Sequence, residues 1–536
     1  MLSLLKQRLF NSRQAIPKWI AFCGYAMIVL GPFLLLSYAT AHSLLNGDAA
    51  WLQLLIPSGR RLLLLSNSIG LGAIASILAM CLGWIGAVML WSSSSKHSHS
   101  LLWMVLPLAA LPSYIYALAW FAIATSISRL LGSGTARLLQ GWSGCLWVEV
   151  AAFSPLALGF AWMGLRNIDP DLIDSSRLSR TDFQTLLRII LPLSIPATLT
   201  GGGIIFLFSI LDYGVPSLFQ VDVYALEIFA EFSATNSPQR AFLLALPLLL
   251  FAVGVLIALL EPIRKLTSRQ VLHRSSWNTP PRWPGWVANL GWMIGIVLVV
   301  QAVLPLATLV VMGGTPRQFI PNLIQAQAET GYSLQLAALT SLFSLPMALG
   351  VAQILVHRKI KLLWFLSLMP VAMPASLVGV SMIFLFYHPT LQRDYLLALM
   401  PIFAQLARFM PLAVLILLAQ LRRTDPLLFD AAQVFQPSVW RRHFQIGAPL
   451  LAPGLLAAAG IVFAFSLGEL GATLMVIPPG KSTLTMRIYN YLHYGASGAV
   501  MGMSLVLVIS IFMTAAGIAT VIKLWSRPFS KAKTQS

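Results

Sequence analysis

A chain of 536 residues that is 58% apolar and only 10% charged has far more hydrophobic side chains than one or two water-soluble cores use, since soluble domains carry about 25% charged residues. Its net charge of +19 would suit nucleic acid in a soluble protein, but most of the 35 Lys and Arg cluster between apolar runs. The charge therefore reads as membrane topology, and no nucleic-acid partner is expected. Cys23, Cys81 and Cys145 all fall in apolar segments without metal-like spacing and read as small core residues, not as a disulfide framework.

In chain order, a basic N-terminus leads into an apolar run near 19–41 that is long and lacks a small-residue cleavage site, so it is predicted to be an uncleaved first span. Further runs of the roughly 20 residues that cross a bilayer fall near 62–91, 101–128, 143–165, 193–212 and 240–260. The second half repeats the count near 287–311, 332–355, 361–387, 396–421, 451–470 and 499–524. These runs are continuous where barrel strands would alternate. The expected fold is an all-α polytopic membrane protein of about 12 transmembrane helices in two homologous six-helix halves. Lys and Arg concentrate before the first span, after the even-numbered spans and in the tail, which by the positive-inside rule puts both termini and those loops in the cytoplasm. The expected divisions are 1–61 (cytoplasmic segment, first span and outer loop), 62–261 (first transmembrane domain), 262–329 (central cytoplasmic loop, seventh span and outer loop), 330–524 (second transmembrane domain) and 525–536 (cytoplasmic tail).

The halves are copies of one another. Phe153 to Asp174 returns 256 residues later as Phe409 to Asp430, with Pro155/Pro411, Arg166/Arg422, Asp169/Asp425, Pro170/Pro426 and Asp174/Asp430 identical. After a one-residue slip the match resumes at register 257, pairing Pro192/Pro449, Pro196/Pro453, Gly203/Gly460, Ser209/Ser466 and Gly214/Gly471 and setting Asp212 opposite Glu469. Apolar stretches match by composition alone, but an ordered Arg, Asp, Pro and Asp beyond a span's end does not; a repeat this long is a duplicated unit.

In both copies a helix begins with Asp-Pro, at Asp169-Pro170 and Asp425-Pro426, where Asp caps free amides and Pro at the first helical position sacrifices no hydrogen bond. A second start follows at Thr181, with Gln184 as capping-box partner, and at Ser438. Phe183, Leu186, Leu187 and Ile190, or Trp440, Phe444 and Ile446, then recur at helical spacing. They give a face for the underside of the membrane domain, leaving Arg177, Arg180 and Arg188, or Arg441 and Arg442, to a partner or to lipid headgroups. A docking element written twice suits a partner present twice.

These loops resemble the cytoplasmic "EAA" loop of ABC importer permeases, and the whole chain resembles the fused, two-copy permeases of the ferric iron class. The second copy reads Asp430-Ala431-Ala432 and ends Ile446-Gly447-Ala448-Pro449; the first reads Asp174-Ser175-Ser176 and ends Ile189-Ile190-Leu191-Pro192. Both have Asp for the usual Glu and lack the usual glycine. Asp212-Tyr213-Gly214-Val215-Pro216, Arg408-Phe409-Met410-Pro411, Gly468-Glu469-Leu470-Gly471-Ala472-Thr473-Leu474 and Pro478-Pro479-Gly480 are similar to further motifs of that class, with Gly471 in place of proline. The resemblance implies a type I importer permease fold in the bacterial inner membrane. It also implies two ATPase copies that bind ATP and Mg, docked at Asp174, Ser175, Ser176, Thr181, Phe183 and Pro192 and at Asp430, Ala431, Ala432, Ser438, Trp440 and Pro449. A periplasmic solute-binding protein would feed the pathway. No catalytic residue or cofactor is expected in this chain, and ferric iron leads thiamine, phosphonate or another small solute as cargo.

Glu149 and Arg408 lie within predicted spans 4 and 10, where a charge costs roughly 2.5–3.5 kcal/mol and needs a partner or a water-filled cavity. They are candidates either for an interdomain pair or for separate partners near the outer interface. Asp212, with Tyr213 beside it, and Glu469 sit at matching outer ends of spans 5 and 11 and are candidate pathway residues whose oxygens suit a hard cation. The other reading of these two acids is helix capping or docking of the binding protein. A proton-driven secondary transporter also has two six-span halves, but the repeated polar signal here lies in loops, not deep in spans.

Overall fold

The computed structural model describes residues 18–46, 49–93, 104–131, 141–268, 280–313, 316–358, 360–388, 394–436, 438, 441–493 and 497–532; Trp440 lies outside them. Regular structure among them is entirely helical. The first half contributes α1 (Lys18–Val29), α2 (Gly31–Leu45), α3 (Gly59–Ser92), α4 (Ser113–Leu131), α5 (Gly141–Arg166), α6 (Pro170–Arg177), α7 (Asp182–Thr185), α8 (Leu191–Leu211) and α9 (Pro238–Ser268). The second contributes α10 (Gly285–Met312), α11 (Gln327–His357), α12 (Lys361–Leu368), α13 (Ala375–Phe386), α14 (Met400–Arg423), α15 (Pro426–Phe435), α16 (Ala448–Leu467) and α17 (Ser497–Ala532).

Among the described residues nine helices are long and apolar enough to cross a bilayer, and two bent pairs, α1 with α2 (49°) and Lys361–Ala372 with α13 (101°), raise the number to 11. The missing twelfth is the predicted span at 101–128. There Leu111 is extended (ψ 134°) before Pro112, which separates a 3-10 turn, Leu106–Ala110, from α4. Serines, tyrosines and Arg129 then dilute the apolar content of α4. Met373 before Pro374 is extended in the same way (ψ 127°) and makes the 101° bend of the second half. A proline pushes the preceding residue out of the helical region and cannot donate to the ladder, so both third spans break at corresponding places.

Two bundles of three helices form the centre: α3, α5 and α8 pack together, as do their repeat counterparts α11, α14 and α16. Glycines let these helices close up. A Cβ on Gly83 of α3 would lie 2.6 Å from Ala157 Cβ and 2.7 Å from the backbone nitrogen of Leu158 on α5. The repeated pair Gly203 and Gly460 does one job twice, each admitting a side chain from the last span of its own half, Leu259 of α9 and Ile518 of α17. The outer helices cross over. α2 and α9 pack on the broken third span α13 of the second half, while α10 and α17 pack on α4 of the first. Each half is therefore completed by helices of the other.

Candidate functional site

Both proline breaks, the end of α8 at Asp212 and the end of α16 at Gly468 converge on a cavity of about 210 Å³ between the two halves. Non-helical backbone at membrane depth is tolerated only where protein buries it or where it lines a wet cavity. Ala152 and Phe153 of α5 and Arg408 and Phe409 of α14 form facing walls. At 1.5 Å per residue, Arg408 stands about 12 Å from the start of α14 and about 22 Å from its end. Asp212 and Glu469, at the ends of their helices, share this cavity with Arg408.

Glu469 is saturated. Its Oε1 accepts from the backbone nitrogen of Ala472 at 2.7 Å and from Arg408 Nη1, and its Oε2 accepts from the backbone nitrogen of Thr473 at 2.8 Å and from the Thr473 hydroxyl. Asp212 accepts from the Gly214 nitrogen at 2.8 Å and from the Ser113 hydroxyl at 2.7 Å, which fastens the end of α8 to the start of α4. The two acids therefore cap chain turns, as the capping reading expects, while lining the cavity. Tyr213 donates from its hydroxyl to the Gly471 carbonyl at 3.4 Å, crossing between halves. Gly468 sits so close to Pro112 that a Cβ there would lie 2.4 Å from the ring. Among the described residues no three His, Cys, Asp or Glu side chains converge as a metal cage.

The Glu149–Arg408 pair is not formed. Arg408 turns to Glu469 in its own half, and Glu149, fully buried, accepts from the Ser209 hydroxyl on α8. Its repeat counterpart Gln405 bridges the matching pair of helices in the opposite sense, donating to the Ser466 carbonyl at 3.2 Å while accepting from Thr340 at 2.9 Å. Glu149 is thus a helix–helix contact and Arg408 a cavity residue. Sequence reading missed Ser113, Thr473 and both proline breaks. Their signal is Pro107 and Pro112 in one apolar run answered by Pro370 and Pro374 in the other, masked by a one-residue difference in spacing.

At the loop ends, α6 and α15 are capped by Asp169 and Asp425, which accept from the nitrogens of Asp171 at 3.0 Å and Leu427 at 2.9 Å. Thr181 and Gln184 form the expected capping box. The Arg442 nitrogen bonds the Ser438 carbonyl at 2.9 Å, as that of Thr185 bonds Thr181, so both second starts are real turns. In each copy a π turn, Leu186–Ile190 or Arg442–Gly447, directly precedes the helix that carries Pro192 or Pro449. The wider turn makes room for a proline without an N–H. Ser176 and Ala432 are the buried members of the small-residue triplets; Ser175, Asp430 and Ala431 are exposed and Asp174 half-buried. The Ser176 hydroxyl meets that of Thr185 at 3.0 Å, Asp182 pairs with Arg177 at 2.8 Å, and Phe183 stacks edge-on against Trp286 of α10. Both loops also expose apolar side chains, Leu178 (89%) in the first and Phe435 (83%) and Phe444 (66%) in the second. Arg442, expected at the surface, is buried, whereas Arg180, Arg188 and Arg441 are exposed.

A duplicated helical domain with spans long enough to cross a membrane, a cavity between its halves and paired structured loops fits a transport permease. No family model matches the chain. It is 23% identical over 399 residues, 69% of its length, to the ferric transport system permease protein of Actinobacillus pleuropneumoniae, of which it spans 57%. Over 252 residues it is 28% identical to a protein described as a 2-aminoethylphosphonate transport system permease of Salmonella choleraesuis, 44% of this chain covering 95% of that one. It is also 28% identical over 177 residues to the molybdenum transport system permease protein of Haemophilus influenzae, covering 30% of this chain and 77% of the relative. A nearly whole relative fitting less than half of this chain agrees with the internal duplication. The chain is a binding-protein-dependent ABC transporter permease subunit for a small solute, distantly homologous to these three kinds of permease and not itself an ATPase.

Proposed function

We propose that this subunit carries ferric iron from a periplasmic binding protein to the cytoplasm through the cavity between its halves, driven by two ATPase copies docked on α6–α7 and on α15 with the turn at Ser438. The domains are those bounded by 62–261 and 330–524, with both termini in the cytoplasm. The observation that carries the reading is the repeated loop: same caps, same π turn, same buried small residue, and exposed apolar groups for a partner to cover. ATP-driven approach of the two docked subunits would reorient the halves around Asp212, Tyr213, Arg408 and Glu469, while Glu149 holds α5 to α8. Ferric iron is favoured because the relatives whose match extends over more than half of this chain are ferric permeases and because paired acids line the route. Arg408 on the same wall favours a second reading, an anionic solute such as a phosphonate.

Uptake by membrane vesicles containing the permease, its ATPase and its binding protein tests both. Radiolabelled ferric iron should accumulate only with ATP, and Asp430→Lys or Arg441→Glu should release the ATPase without unfolding the permease. Accumulation of the phosphonate alone selects the second solute. Uptake driven by a proton gradient without any ATPase refutes the importer reading.

A further inference from the structure

The junction of the halves next to the second loop holds a buried aromatic ring that does not line the cavity. Trp364 of α12 is 1% exposed, and two guanidinium groups from different helices address its ring: Arg264 of α9 at 5.8 Å and Arg422 of α14 at 5.4 Å. Both distances lie within cation–π range, where desolvation strengthens the attraction. Arg422 is also fastened to the first half, donating to the Thr267 hydroxyl on α9 at 2.8 Å. It stands three residues before Asp425, the cap of docking helix α15, with only the end of α14 and Thr424 between them.

From Trp364 a short rigid path leads to the cavity. α12 runs into the 3-10 turn Met369–Ala372, whose Pro370 and Val371 are cavity wall, and which ends at the Met373-Pro374 break. Helical rises put Val371 about 12 Å along this strut from Trp364. The strut is held midway by Tyr25 of α1, which donates to the Ser367 carbonyl at 2.5 Å. One indole thus joins the stem of the second docking loop, the last span of the first half and a segment of cavity wall.

We propose that Trp364 is a positioning residue through which the second docking loop controls the cavity: displacement of α15 moves Arg422, Arg422 carries the indole, and α12 shifts Pro370 and Val371. The inference rests on α15 being an ATPase docking helix. It assigns the second half a transmission route that also grips α9 of the first half, so one loop acts on both.

The test uses the complete complex of permease, ATPase and binding protein in lipid nanodiscs, with ATP hydrolysis measured alongside solute transfer in matched vesicles. Trp364→Leu keeps apolar volume but removes the π face; solute moved per ATP should fall by about tenfold, the order of a coupling free energy of roughly 1–3 kcal/mol between sites, while the ATPase stays bound and basal hydrolysis continues. Trp364→Phe keeps a ring and should preserve most coupling. If the Leu variant does not assemble, Arg422→Gln, which leaves the indole packed, should show the same loss. Wild-type transport per ATP in either variant overturns the proposal, as does a Phe variant as impaired as Leu. A wild-type complex whose hydrolysis drives no uptake overturns the importer reading instead.

Discussion

Arg408 and Glu469 join two sequence segments 61 residues apart, and their contribution can be worked from the geometry. The Glu469 side chain is wholly buried, whereas Arg408 is 28% exposed to the cavity. Removing one partner of a buried ion pair costs roughly 3–5 kcal/mol when the other charge is left uncompensated. Here the carboxylate keeps two backbone N–H donors and the Thr473 hydroxyl, so Arg408→Leu should fall at the low end, about 3 kcal/mol. Glu469→Gln retains an oxygen for one backbone donor and leaves a partly exposed guanidinium, which costs less. In the double variant both charges are gone, and the cycle should return a coupling of about 2 kcal/mol, within the 0.5–3 kcal/mol seen for contacting residues. Reversible unfolding in mixed micelles with rising denaturing detergent provides the four stabilities. The charge swap Arg408→Glu with Glu469→Arg should fail to recover stability, because arginine has no acceptor for the nitrogens of Ala472 and Thr473. A coupling below about 0.5 kcal/mol, or full recovery in the swap, refutes this reasoning.

Two further outcomes are expected from the same unfolding and uptake measurements. Gly83→Ala places a methyl against the Leu158 backbone, which cannot rotate away, and should cost roughly 1–3 kcal/mol, whereas Gly254→Ala in α9 meets open space and should stabilise by up to about 1 kcal/mol. Glu149→Gln, which installs the residue of the other copy, should leave an acceptor for Ser209 and preserve transport; Glu149→Leu removes that acceptor and should cost roughly 1–3 kcal/mol.

Helix capping and duplication were legible in the sequence because each depends on a few residues with local consequences. Asp169, Asp425, Thr181 and Gln184 satisfy amides within their own helix, so spacing alone identifies their work. Span counting was less secure because apolar content records contact with lipid or protein interior and says little about straightness. The runs containing Pro112 and Pro374 are both apolar enough in sequence, yet both break, and the breaks build the cavity. Which partner a buried charge takes was illegible for a related reason. Glu149 and Arg408 are three positions apart in repeat register, about 4.5 Å along the helix and about 60° around it, and that offset separates a side chain that meets α8 from one that opens on the cavity.

The two copies agree in scaffold and differ in charge, and the difference has a mechanical meaning. Gly203 and Gly460, Ser209 and Ser466, and the two π turns occupy matching places because they govern how closely helices approach. Around the cavity the match lapses: Arg408 answers Ala152, Glu469 answers Asp212, and Ala375 follows the second proline break where Ser113 follows the first. The first-half acid is consequently held by a hydroxyl on its broken third span, whereas the second-half acid is held by a guanidinium on α14, the stem of the second loop. A displacement of α14 therefore reaches Glu469 directly through an ion pair, while a displacement of α5 reaches Asp212 through α8, by packing and the Glu149–Ser209 hydrogen bond. Two loops of one origin are thus joined to the cavity acids through unequal linkages, and only the second ends in an ion pair.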